Sequence, residues 1–375
     1  MKIALCKSSL LIPPTYFAVA HAQIMKDDFD FSFFTMAAEI KDSNIDLDIR
    51  DFAPFRHKPF ATREKYLPIV MPAMARAVEN FHPDVIHQHF ATWSWPAVRA
   101  ARASGSPLIT TLHGADVVMA GKQARTAMAR WHHHNIGLVQ RNSNRILAVS
   151  NYLAGQAVVS GFPAGKIMVH YLGVDTASFV PVKMRQETDH RTSAPPVVLF
   201  VGALNDQKGI LHLLKASQEL QVSHEHELVI VGRGPHYEAL VRVAAGNPRI
   251  QVLGQLGRTD LLSQLQCATV LAAPSRQSNG AREAAGLVLL EAQACGTPVV
   301  AYSSGGTPEM VGPRSGLLTE EDNVDGLRDS IAAILALNSK DYLAMRTSAR
   351  DYTLRERSLV GSARELAEHY NAVSE

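Results

Sequence analysis

The chain has 375 residues, 46% apolar and 19% charged, a globular composition with length for two or three domains. Its formal charge of +2 points to no nucleic-acid partner, yet it hides a basic stretch over residues 1–180 (roughly +5) and an acidic remainder (roughly −3). No apolar run approaches 18 residues, so no membrane span is expected.

Met1-Lys2-Ile3-Ala4-Leu5-Cys6 reads as a first strand rather than a signal peptide. Cys6, Cys267 and Cys295 lack metal-ligand spacing and read as buried free thiols of a reducing compartment. Strand-like runs then follow at Ile45–Ile49, Asp84–Gln88, Pro107–Leu112, Arg145–Val149 and Lys166–Tyr171, with helix-like stretches between them. After a polar segment, Lys183–Ala194, the alternation restarts: Pro196–Val201, Glu227–Val231, Arg249–Leu253, Thr269–Ala272, Pro298–Ala301 and Gly316–Leu318. Two blocks of βα units predict an α/β protein of two Rossmann-like, doubly wound domains facing across a cleft. The expected divisions are residues 1–180, residues 181–353, and a periodic last helix in residues 354–375. Ligands in such sheets bind beyond the carboxyl ends of the strands.

In the first domain, Ser8–Thr15 reads as a loop without the glycine that would let backbone approach a ligand closely. Tyr66–Ala77 is apolar but broken by Pro68 and Pro72. His87 and His89 lie on one strand and are expected on opposite faces, which argues against a shared metal. His113 ends a strand, so its imidazole is expected in the cleft, with Asp116 capping the next helix. Gly121–Arg145 carries five basic residues, no carboxylate and Trp131, the composition of a helix on anionic lipid or of a solvated basic face. The run His132-His133-His134 spreads over three helix faces and predicts no zinc site.

In the second domain, Gly202 ends a strand and Lys208 stands at the next helix mouth, where it meets either a diphosphate or solvent. Gly232 and Gly254-Gln255-Leu256 follow two further strands. Glu283 and Glu291 bracket seven residues that open at Gly286 into an apolar helix, stopped by Gly296 and Pro298. The first N–H groups of that helix, at Gly286, Leu287 and Val288, offer an anion site. Glu283 and Glu291 then take ligand hydroxyls, or else are merely one solvated and one paired glutamate. Gly305–Glu309 reads as a supporting turn.

The ordered set Pro274-Ser275, Glu283–Glu291, Ala294-Cys295-Gly296-Thr297-Pro298-Val299-Val300 and Gly305-Gly306-Thr307-Pro308-Glu309 resembles the signature of the retaining glycosyltransferases of family four, which have the GT-B fold. The resemblance implies transfer of a sugar from a UDP- or GDP-sugar, without metal or other cofactor, to a glycan or polyprenyl-diphosphate-linked acceptor in bacterial surface-polysaccharide synthesis. It places the enzyme in the cytoplasm, peripheral on the inner membrane face. It also implies that Glu283 holds the donor sugar and Glu291 the ribose, while Lys208 meets the diphosphate and His113 lies near the reacting carbon. Gly202, Gly232, Gly254, Gln255 and Leu256 fall on the nucleotide side and His89 on the acceptor side. Three positions depart from the pattern: Ala203 stands where the family has Arg, Arg276–Arg282 is an insert, and no Gly-Gly turn follows the first strand. Arg276 or Arg282 is a candidate substitute for the missing cation. A nucleotide-sugar 2-epimerase of the same fold and a non-catalytic binding subunit are the alternatives.

Overall fold

The computed structural model describes residues 1–12, 15–54, 58, 62, 66–182 and 195–375. The polar segment Lys183–Ala194 therefore lies outside the described residues, as do Pro13 and Pro14. The chain divides into two compact units, residues 1–172 with 359–375, and residues 173–358.

The first unit is built on β1 (Lys2–Ile12), β2 (Asp30–Ile40), β3 (Asp48–Asp51), β4 (Val85–His89), β5 (Leu108–Leu112), β6 (Arg145–Ala148) and β7 (Ile167–Val169). They form one parallel sheet in the order β3-β2-β1-β4-β5-β6-β7. The alternation of strand side chains divides the core between two faces. Ile3 and Leu5 join a cluster with Leu366 and Tyr370, whereas Ala4 and Cys6 join one with Phe34, Met74 and Val78. The last helix, Leu359–Ser374, thus belongs to this unit through Ala363, Leu366 and Tyr370, which share one helical face. It begins at Leu359 rather than at 354, because Leu354 still lies in the preceding helix, Ser339–Glu356.

Two expectations fail here, and one strand was not foreseen. The loop expected at Ser8–Thr15 is strand as far as Ile12, because Lys7 to Ile12 run on beside β2 after pairing with β4 has ended at Cys6. Strand Asp30–Ile40 goes unread in the sequence because Phe31–Ala37 is uninterruptedly buried and shows no alternation to mark it. Cys267 is exposed, at the end of a helix, while Cys6 and Cys295 are buried.

The second unit carries β8 (Val197–Val201), β9 (Glu227–Val231), β10 (Ile250–Gly254), β11 (Val270–Ala273), β12 (Val299–Tyr302) and β13 (Gly316–Thr319). This sheet is again parallel, ordered β10-β9-β8-β11-β12-β13. The division between units falls between Leu172 and Gly173 rather than at residue 180. Val174 donates to the Arg357 carbonyl at 2.8 Å, and Arg258 pairs with Asp175 at 2.6 Å, so this segment is fastened to the second unit. Among the described residues no helix is long and apolar enough to cross a membrane.

Candidate functional site

In the second unit the strand order reverses between β8 and β11, where loops leaving the two strands diverge and open a crevice. Two segments enter it: Gly202–Lys208 after β8 and Pro274–Glu283 after β11. Gly209, at φ +66°, lets them touch, since a Cβ there would stand 2.0 Å from the Pro274 carbonyl oxygen. Asn205 Oδ1 accepts the Lys208 N–H at 3.0 Å and fixes the turn. Lys208 Nζ then donates to Glu283 Oε2, and Ser275 Oγ donates to the same oxygen at 3.3 Å. The Glu283 backbone is held as well, because its carbonyl accepts the Gly306 N–H at 2.9 Å.

Burial by itself would raise the Glu283 carboxyl, but the Lys208 charge and hydrogen bond, with Ser275 and the Gly286 N–H, outweigh it and hold its pKa below the ordinary value. Gly286, at φ +62°, starts the helix Leu287–Ala294 with no side-chain cap, so the first N–H groups of the helix stay available. A pocket forms here, lined by Lys208, Ser275, Glu283, Gly286, Val288 and Thr307. A cation, a carboxylate and a helix mouth converging in one pocket suit a ligand that carries both negative charge and hydroxyls.

The three glycine turns that follow β8, β9 and β10 meet one another. Gly232 donates to the Gly254 carbonyl at 2.7 Å, and Gly202 donates to the Val231 carbonyl at 3.0 Å. A Cβ on Gly232 would stand 1.9 Å from the Gly202 carbonyl oxygen. Beside them the Arg233 guanidinium lies 4.4 Å from the Tyr237 ring centre. Gln255 is exposed, and Leu256 and Leu287 are half-buried. Glu291 does not line the pocket of Glu283. Burial pushes its carboxyl up to about 7, against the pull of Arg258. Ser275, legible in the sequence only as part of the Pro274-Ser275 pair, is thus a partner of Glu283, and Arg258, a charged neighbour of Glu291, is the residue that sequence reasoning passed over.

Both arginines of the insert, the candidate substitutes for the cation missing at Ala203, are paired with acidic side chains. Arg276 is paired with Asp322, and Arg282 Nε lies 3.0 Å from Glu321 Oε2. Gln277 N–H adds a bond of 2.5 Å to Glu321. The insert is a small hairpin, turned at Asn279 and Gly280 with positive φ, and the acidic segment after β13 clamps it. Tyr352 donates its hydroxyl to the Glu309 carbonyl at 2.8 Å, which fits the supporting role expected for that turn.

In the first unit His89 and His113 come together, Nδ1 to Nε2 at 3.1 Å. The expectation that His87 and His89 face opposite ways is wrong: residues two apart on a strand share a face, and these rings stack 4.6 Å apart. Among the described residues no group of His, Cys, Asp or Glu has metal-holding geometry. His87 is instead engaged at both nitrogens, with the Tyr370 hydroxyl and Thr111 Oγ1, each at 2.7 Å. Phe17 and Phe90 pack against the His113 ring at 4.6 and 4.5 Å. Asp116 accepts the backbone N–H groups of Gly114, Val117 and Ala91, which shapes the turn that carries His113. Burial, reinforced by Lys7 and neighbouring histidines, holds the pKa of His113 well below its ordinary value. His113 is therefore neutral at pH 7 and acts as a hydrogen-bonding group. The run at 132–134 is spread as expected, with His132 bonded to the Thr92 carbonyl at 3.1 Å and His134 exposed.

Three further histidines fasten the last helix. His21 Nε2 lies 2.8 Å from Ser362 Oγ, His170 Nε2 donates to the Ser362 carbonyl at 2.9 Å, and His369 Nδ1 lies 2.7 Å from an Arg145 guanidinium nitrogen. Burial lowers His21 to about 3 and His369 to about 4, from an ordinary value of 6.5. The unfolded chain binds these protons first, so the stabilisation is full above pH 6.5 and is lost as pH falls toward the folded-state values. The denaturation midpoint is expected to drop steadily below pH 6.5, with a shallower slope for His369→Asn; a midpoint flat from pH 7 to 5 would contradict this.

Comparison with known proteins agrees with this architecture. The family models for glycosyl transferases group 1 and for Glycosyltransferase Family 4 match residues 184–352 and 22–178. A GDP-mannose-dependent monoacylated alpha-(1-6)-phosphatidylinositol monomannoside mannosyltransferase of Corynebacterium glutamicum is 36% identical over 172 residues, covering 44% of this chain and 45% of that one. Glycogen synthase of Mycobacterium tuberculosis is 27% identical over 262 residues, covering 68% and 61%. The matched part thus spans about half to three-fifths of these relatives' own length. Among solved structures, Anabaena Alr3699/HepE, in complex with UDP and glucose, superposes with a TM-score of 0.76 at 20% identity over 99% of this chain and 100% of that one. Sucrose-phosphate synthase of Thermosynechococcus elongatus does so with 0.78 at 20% identity, over 100% and 99%. The fold is that of the GT-B glycosyltransferases. The chain belongs to glycosyltransferase family 4.

Proposed function

We propose that this protein transfers a sugar, with retention of anomeric configuration and without a metal, from a UDP- or GDP-sugar to a hydroxyl of a glycan or polyprenyl-diphosphate-linked acceptor. The observation that carries the reading is the pocket where Lys208, Glu283 and the Gly286 helix mouth converge. When the glycosidic C–O bond breaks, negative charge develops on the departing diphosphate. Lys208 and the N–H groups of Leu287 and Val288 are preorganised to take that charge. Glu283, held ionised, accepts hydrogen bonds from sugar hydroxyls and so positions the ring. Glu291 is assigned to the ribose and the turns at Gly202, Gly232 and Gly254 to the nucleotide. Neutral His113, set by His89 and the phenylalanine rings, is assigned to the acceptor side.

A thermal-shift screen against UDP-, GDP- and ADP-sugars tests the donor assignment, since a ligand that binds the folded state raises the melting temperature. Stabilisation by UDP- or GDP-sugars is expected, followed by acceptor-dependent release of nucleoside diphosphate. Donor consumed without any acceptor product would favour an epimerase instead. The acceptor is assigned to bacterial surface-polysaccharide synthesis at the cytoplasmic face of the membrane. The helix Ala127–Asn142 supports this, with Lys122, Arg125, Arg130 and Met128 exposed at its start. Vesicle flotation that is indifferent to anionic lipid would remove the membrane part of the reading.

A further inference from the structure

The turn after β12 holds two buried hydroxyls with no hydrogen-bond partner, Ser304 Oγ and Thr307 Oγ1. Their residues are 2% and 1% exposed. A buried hydroxyl without a partner is costly, and a valine would fill the place of a threonine without that cost. The two differ in surroundings, because Thr307 lines the pocket of Lys208 and Glu283 whereas Ser304 does not. Thr307 is tied to Glu283 through the backbone, since the adjacent Gly306 N–H is the one that the Glu283 carbonyl accepts. Gly305 permits this approach at φ +60°, where a Cβ would stand 2.3 Å from the same carbonyl oxygen. The turn therefore does more than support the loop: it places Thr307, whose hydroxyl has no partner, in the lining of the pocket that Glu283 also lines.

We propose that Thr307 is a further donor-binding residue, its Oγ1 exchanging a hydrogen bond with a hydroxyl of the transferred sugar beside Glu283. The proposal rests on the donor-site reading above. Titration calorimetry with UDP against UDP-glucose, and with GDP against GDP-mannose, on wild type, Thr307→Val, Thr307→Ser and Ser304→Ala tests it. Thr307→Val is expected to weaken the nucleotide sugar about tenfold while leaving the bare diphosphate within about twofold. Thr307→Ser restores affinity, and Ser304→Ala changes neither. The melting temperature of ligand-free Thr307→Val is unchanged or higher, because no existing hydrogen bond is removed. Equal weakening of diphosphate and nucleotide sugar, no weakening, or a lowered melting temperature without ligand would each overturn the proposal. Glu283→Gln separates the two levels: if it loses sugar-dependent affinity while Thr307→Val does not, only the Thr307 assignment falls. If neither wild-type ligand pair binds, the donor reading falls with it.

Discussion

Lys208→Ala is expected to lower glycosyl transfer about 10²–10³-fold, the usual loss when one preorganised donor to a developing oxyanion is removed. Among the described residues that line the pocket Lys208 is the only cation, while Arg276 and Arg282 are paired with carboxylates and position 203 is an alanine. Removing Lys208 also strands the Glu283 charge, whose side chain is only 15% exposed, and should cost roughly 1–3 kcal/mol of folding stability. Glu283→Gln keeps the shape and removes the charge, so it should lose turnover and the ion pair's share of stability while still folding. The lowered pKa of Glu283 gives the pair a definite pH dependence. Its stabilisation is complete above the ordinary value of 4.5 and disappears as pH falls through the folded-state value. Steady-state turnover and denaturant midpoints on both variants decide the matter; a folded Lys208→Ala protein with wild-type turnover would remove Lys208 from the chemistry.

Gly209→Ala should be strongly disruptive near the site, costing roughly 3 kcal/mol or more. Two penalties combine. An L side chain at φ +66° is strained, and the new Cβ would overlap the Pro274 carbonyl, the start of the segment that carries Ser275 and Glu283. Calorimetry should show a lower melting temperature, and calorimetric titration should show lost nucleotide-sugar binding. Gly246→Ala, where nothing lies within 4 Å of the added carbon, is the control expected to be nearly neutral. Similar melting temperatures for the two variants would mean that the contact between the β8 and β11 loops is not rigid.

Much of the fold was legible in the sequence because parallel strands buried on both faces announce themselves as short apolar runs. Glu227–Val231 falls where it was expected, and Val197–Val201 and Leu108–Leu112 within one residue. Asp30–Ile40 escaped because its buried stretch looks equally like helix core. The fate of Ser8–Ile12 depended on β2, a partner distant in sequence, and no local signal marks such pairing.

By itself the sequence determined the signature around Glu283 and Glu291, the helix that opens at Gly286 and stops at Gly296, and hence the family. Those features are local, set by glycine dihedrals, proline and apolar runs, so neighbouring residues suffice to read them. Only the tertiary structure decided what those groups do to one another. It gave Glu283 to Lys208 and Ser275, Arg276 and Arg282 to the acidic segment, and Arg258 to Asp175, it left Glu291 outside the lining of the Glu283 pocket, and it put Thr307, whose hydroxyl has no partner, in that lining. Whether a charge or hydroxyl is satisfied is a matter of a few ångströms between elements far apart in the chain, and such distances exist only after the sheets have formed.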